Sequence, residues 1–162
     1  FGGDGWRPQG SVAHGILIEN PPSLDIGSLV LPDGSSTRFT GKWSLLYVGS
    51  GSCPAACQQV LYEVRQVRQA LGKEMARVQR YFIATSGTPD AQLIQAAHPD
   101  LIVIDTAVAG GDRILATLGD HSEADVFVVD PMGNIMMRFP VGTSMKDMHK
   151  DLSLLLKAST IG

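Results

Sequence analysis

Residues 41–64 read GKWSLLYVGSGSCPAACQQVLYEV, and the apolar period changes inside this stretch. KWSLLYVG is a short continuous apolar run, the pattern of a strand buried on both faces. Glycines from Gly49 to Gly51 end it. From Pro54 onward Val60, Leu61, Val64, Val67 and Leu71 fall at helical spacing, and Gly72 follows as a stop signal. At the junction stand Cys53 and Cys57, the only two cysteines of the chain.

Two cysteines are too few for a disulfide scaffold, so the pair reads as a redox or metal site, with the compartment left open. Proline is favoured at the first helical position, so Pro54 predicts Cys53 at the N-cap and Cys57 in the first turn. Side chains four apart share one helix face, and their Cα atoms lie roughly 6 Å apart, within reach of a disulfide. The sulfurs can therefore bridge each other or converge on one metal ion. The unpaired N–H groups and dipole of a helix start favour an anion, which lowers a thiol pKa. Thiolate serves both as nucleophile in disulfide exchange and as ligand for soft metals. The Gly-Ser-Gly-Ser run before Cys53 predicts an accessible loop, against the alternative of two buried structural cysteines.

The flanking chain extends the pattern. Residues 1–23 read as an extended arm, with adjacent prolines in ENPPSLDIG. Trp6 beside Arg7 suits the interfacial end of a membrane helix, although a tail with a stray aromatic is the simpler reading on its own. SLVLPDGSSTRFTG predicts a hairpin turning at Pro32-Asp33-Gly34. Then come a strand in VQRYFIAT, a helix in PDAQLIQAA, a strand in LIVID and a helix in GGDRILATLG. DVFVVD and IMMRF are two strands joined by a PMGN turn. The last helix carries an apolar stripe of Met145, Met148, Leu152 and Leu155. Hairpin, βαβαβα and ββα together predict an α/β domain over residues 24–162. It has a thioredoxin-like central mixed sheet flanked by helices, with an N-terminal β-hairpin extension.

The 162 residues suit one such domain, with 44% hydrophobic and 18% charged residues, as in ordinary globular proteins. A net charge of -3 and the lack of Lys/Arg-rich runs argue against nucleic acid as partner. No apolar run approaches the ~20 residues of a membrane helix. The chain starts at Phe1, so an anchor before it is compatible with the sequence.

With these elements in place, residues 41–64 resemble the Sco/SenC family of copper chaperones for cytochrome c oxidase assembly. The likeness lies in Gly-Lys, the apolar strand and the Cys-Pro junction with a three-residue gap. VFVVDPMGNIMMRF is similar to the family's apolar strand, Asp-Pro-x-Gly turn and return strand. The likeness covers most of residues 24–157. WRPQGSVAHGIL and the C-terminal end look still more like short membrane-anchored, oxidase-associated proteins of proteobacteria. The resemblance implies a domain on the periplasmic side of the bacterial inner membrane, held by an N-terminal anchor. It implies binding of copper, as Cu(I) or Cu(II), by Cys53, Cys57 and one distal histidine. It also implies a cytochrome c oxidase subunit or another copper chaperone as partner. The matching histidine is His121, in Asp120-His121-Ser122.

This sequence departs from the family at several points. The stretch from His121 to Pro131 is one residue longer, and one residue reverses a strand's faces unless a loop or bulge absorbs it. Ser50-Gly51-Ser52 replaces the aromatic or Thr-His residues usual before the first cysteine, and TSGTPD replaces an acidic segment. Residues 119–125 lack the proline that thioredoxin-like oxidoreductases usually place before the strand facing their cysteines. Three roles remain open. These are a copper-binding assembly factor, a thiol-disulfide oxidoreductase with Cys53 as nucleophile and Cys57 as resolving thiol, and a scaffold that kept only the fold. His14, His98 and His149 read as surface residues, His98 at a helix end where a cation is favourable. Met136 and Met137, adjacent on a strand, are expected on opposite faces.

Overall fold

The switches of apolar period along the chain coincide with the switches of element. The computed structural model describes residues 15–105, 110–122 and 124–159. Trp6, Arg7 and His14 lie outside them. In chain order come β1 (Ile16–Leu17), a hairpin of β2 (Leu29–Val30) and β3 (Ser36–Thr37), β4 (Trp43–Gly49) and α1 (Ala55–Gln69). A 3-10 helix (Gly72–Arg77) leads into β5 (Val78–Ala84), α2 (Ala91–Ala97), β6 (Leu101–Ile104) and α3 (Gly111–Leu118). The chain closes with β7 (Asp125–Val129), β8 (Ile135–Phe139) and α4 (Met145–Lys157).

Six strands form one sheet in the order β1-β8-β7-β4-β5-β6. β4, β5 and β6 are parallel, and β7, β8 and β1 continue antiparallel from the other edge of β4. The parallel pairs need crossovers, which α1 and α2 supply. Every residue of β4 is buried, as its continuous apolar run requires. One core packs Leu45, Tyr47, Phe82 and Val126 against Leu61 and Val64 of α1 and Met148 and Leu152 of α4. The other packs Leu46, Val48, Tyr81 and Phe127 against Ile114 of α3 and Phe39. This mixed sheet between helices, preceded by a hairpin, is the thioredoxin-like plan.

Several details differ from the sequence expectation. The buried stripe of α4 is Met148, Asp151, Leu152 and Leu156, while Met145 is 40% exposed. Met145 opens the helix, right after the cap Ser144, whose side chain accepts from Asp147 N at 3.1 Å. Met136 and Met137 pack against the same core rather than on opposite faces. The cause is an irregular register: Val128 pairs with Met137 and Val129 with Ile135, leaving Met136 as the extra residue of a bulge. Residues 15–24 lie along β8, with Ile16 opposite Arg138, Ser23 bridged to Asn134, and Leu24 1% exposed.

The hairpin is joined to the sheet through Tyr81. Its hydroxyl donates to Arg38 O at 2.9 Å and lies 2.7 Å from Thr37 Oγ1, while its ring packs at a 45° tilt against Phe39, centroids 4.7 Å apart. Burial pushes its pKa up from 10.0 to about 12, against a smaller lowering by Thr37. The neutral phenol is the folded form, so its contribution to stability is whole below the unfolded-state value and is lost as pH rises through the folded one. Urea unfolding is therefore expected to show stability falling between pH 10 and pH 12. Tyr81→Phe should lessen that slope and cost about 1 kcal/mol at neutral pH through the lost hydrogen bonds.

Candidate functional site

β4 ends at Gly49, and its two neighbours meet the loop that follows. Thr85 N, just beyond β5, donates to Gly49 O at 2.9 Å, and Ala124 N, just before β7, donates to Val48 O at 3.0 Å. Gly51 N donates to Ser86 O at 2.7 Å, and a Cβ on Gly51 would meet that oxygen at 2.5 Å. Glycine is required there because two backbones touch. The loop then turns, with Cys53 N donating to Ser50 O at 3.1 Å.

Cys53 lies one residue further from the helix than Pro54 suggested. The N-cap is Pro54 itself (φ -64°, ψ 179°), and α1 begins at Ala55. Cys53 has φ 43°, a left-handed conformation that a non-glycine residue adopts only when its surroundings impose it. Cys57 is the third helical residue. The two sulfurs are joined as a disulfide across a sequence separation of 4, with Cα atoms 5.0 Å apart. The bridge and the braced loop together hold Cys53 in that conformation.

The pair is more enclosed than the Gly-Ser run predicted: Cys53 is 7% and Cys57 2% exposed. Both pack in the core with Ala124, which stands immediately before β7 where an oxidoreductase's proline would be. No acidic side chain occupies the first turn of α1 and no side chain caps it. Its leading N–H groups and dipole therefore stay available to a thiolate.

His121 is exposed, on the loop between α3 and β7. The loop ends at Ala124, which is left-handed (φ 68°), and Asp125 begins β7 opposite Val48. Asp125 is 1% exposed and ties the loop down, its Oδ2 accepting from Ser122 N at 2.7 Å and from Arg138 Nη1 at 3.2 Å. Among the described residues, no three His, Cys, Asp or Glu side chains are grouped to hold a metal ion while the pair is a disulfide. His149 lies 3.2 Å from Ala70 O at the end of α1, and Met132 is 64% exposed beyond β7. Sequence reasoning missed Asp125 as the anchor of the His121 loop. The signal available was a carboxylate at the head of an otherwise apolar strand.

The closed loop of the disulfide is short, so its entropic contribution is small, about 2 kcal/mol. Denaturant unfolding of the reduced and oxidised forms is expected to differ by about that amount, with the reduced form still folded. Unfolding on reduction would mark the bridge as a structural staple.

No curated protein sequence matches the chain. In fold, the chain is similar to apo Sco1 from Thermus thermophilus, with a TM-score of 0.72 and 22% identity over 90% of this chain and 98% of that one. Yeast Sco1 with copper bound matches with a TM-score of 0.69 and 20% identity, over 86% and 96% of the two chains. MTB dsbF, in mixed oxidised and reduced forms, matches with a TM-score of 0.61 and 20% identity, over 84% and 99%. These likenesses establish the fold. A family model matches residues 43–159, which hold the β4–α1 junction, both cysteines and the β7–β8 hairpin. The chain belongs to the family of transmembrane-like, thioredoxin-like C-terminal domains.

Proposed function

We propose that the chain is a Sco-like copper-binding assembly factor, with copper as cargo on Cys53, Cys57 and His121. The observation that carries this reading is the Cys53–Cys57 pair at the start of α1, on a fold shared with copper-bound Sco1. Before loading, a partner dithiol reduces the disulfide, passing two electrons and two protons to the sulfurs and becoming a disulfide itself. Cu(I) then displaces both thiol protons, and the α1 N-terminus stabilises the thiolates. His121 supplies the third ligand, a set suited to Cu(I) and tolerable for Cu(II). Release follows by ligand exchange with a cytochrome c oxidase subunit or another copper chaperone. The domain works on the periplasmic side of the inner membrane, tethered by an N-terminal anchor. The family's transmembrane-like description supports the membrane tether. No helix among the described residues is long and apolar enough to cross a membrane.

The second reading is a periplasmic thiol-disulfide oxidoreductase. The disulfide itself and the likeness to MTB dsbF favour it. Here Cys53 attacks a partner disulfide and Cys57 resolves the mixed disulfide. Ala124 in place of proline, together with the burial of Cys53, weighs against it.

Anaerobic titration of the reduced protein with Cu(I), in competition with a chelator, separates the readings. One copper per chain is expected, with binding abolished in Cys53→Ser and weakened at least about tenfold in His121→Ala, or 1.4 kcal/mol. Absent binding, or binding unchanged in Cys53→Ser, overturns the copper reading.

A further inference from the structure

Two basic side chains are buried among the described residues. Arg80 of β5 is 4% exposed, and His98, which caps the end of α2, is 5% exposed. They meet at the turn between α2 and β6. Arg80 Nη2 donates to Pro99 O. From the facing side of α1, Arg65 Nη1 donates to Ala97 O at 3.3 Å, so the carbonyls on either side of His98 are each taken by a guanidinium. Arg68, one turn along α1, donates from Nε to Val78 O at 2.7 Å. Asp100, left-handed at φ 69°, and a bond from Leu101 N to His98 O at 3.2 Å fix the turn.

These bonds satisfy carbonyls and leave charge uncompensated. A guanidinium has five N–H donors, and the bonds each of these three makes go to neutral backbone oxygens. Among the described residues, none of the three is in a salt bridge. Around Arg80, one carboxylate, Asp100, acts against two further guanidiniums, Arg68 and Arg65. His98 Nδ1 is buried without a hydrogen-bond partner. The electrostatics carry the same sign. Burial first, then Arg68 and Arg65, lower the Arg80 pKa from 12.5 to about 10, with Asp100 opposing. Burial, then Arg80 and Arg65, hold His98 below its ordinary 6.5.

We propose that Arg65, Arg68, Arg80 and His98 form a binding site for a small phosphate dianion, remote from the cysteines. The excess of positive over negative charge around Arg80 suits an anion, and the forked guanidiniums match the tetrahedral oxygens of phosphate. Burial of Arg80 and His98 fits a free anion rather than one carried on a bulky headgroup. The site's α1 members, Arg65 and Arg68, lie roughly 12 and 16 Å along the helix from Cys57 at 1.5 Å per residue. It therefore stands or falls independently of copper binding.

The test uses the full oxidised chain and NMR of the His98 ring and the Arg80 Nε–H. Inorganic phosphate at pH 7.5 is titrated against chloride at equal ionic strength. Expected are saturable shifts with phosphate in the range below roughly 10 mM, and an upward move of the His98 titration midpoint, since a bound anion favours the imidazolium. Arg65 is only half-buried, so Arg65→Gln tests the site without emptying the core, and it should weaken phosphate at least tenfold. Equal, unsaturating responses to phosphate and chloride overturn the proposal, and so does phosphate binding unchanged in Arg65→Gln.

Discussion

The hydrogen bonding of β4 on both edges is the constraint on which the rest depends. A strand paired parallel on one side and antiparallel on the other has neighbours that run in opposite directions past its end. At the C-terminal end of β4 one neighbour is therefore leaving the sheet and the other is entering it. Thr85 bonds Gly49 and Ala124 bonds Val48, so both connecting segments arrive at the same spot as the turn into α1. The cysteine loop gains two walls from distant parts of the chain. Ser86 and Gly87 press on Gly51, and Ala124 packs in the same core cluster as both cysteines. A left-handed Cys53 is sustained because both walls and the disulfide limit where the loop can go.

The same arrangement accounts for where His121 stands. Its loop is bounded by Gly119 and Ala124, both left-handed, and is held from beneath by the Asp125 carboxylate and Arg138. Ser122 and Ala124 are fixed, and the imidazole projects into solvent. With the sulfurs spent on each other, copper has no thiolate to bind. Reduction is therefore the step that creates two of the three proposed ligands, and it is a step that both readings of the pair require.

Much of this was legible in the residues. A strand buried on both faces must be continuously apolar, and KWSLLYVG is; α1 must alternate at helical spacing, and Leu61, Val64 and Val67 do. The turn after β7 was legible too, because Asp130 accepts from Met132 N and Asn134 N at 2.9 Å and Gly133 adopts φ 91°. The misses came where distant contacts decide. The exposure of Cys53 depends on segments 30 and 70 residues downstream, so the local Gly-Ser composition misled. His98 looked like a surface cation at a helix end, but α1 and β5 bury it and surround it with guanidiniums. The bulge at Met136 arises from pairing with β7, which no property of IMMRF announces.

The central claim is that Cys53, Cys57 and His121 hold one copper ion. X-ray absorption at the copper edge, on reduced protein loaded with one Cu(I) per chain, reads the ligand shell directly. The account predicts two sulfur scatterers at about 2.3 Å and one imidazole nitrogen at about 2.0 Å, typical thiolate and imidazole distances to first-row metals, with the nitrogen lost in His121→Ala. A shell of sulfur alone that is unchanged by His121→Ala, or one without sulfur, would contradict it.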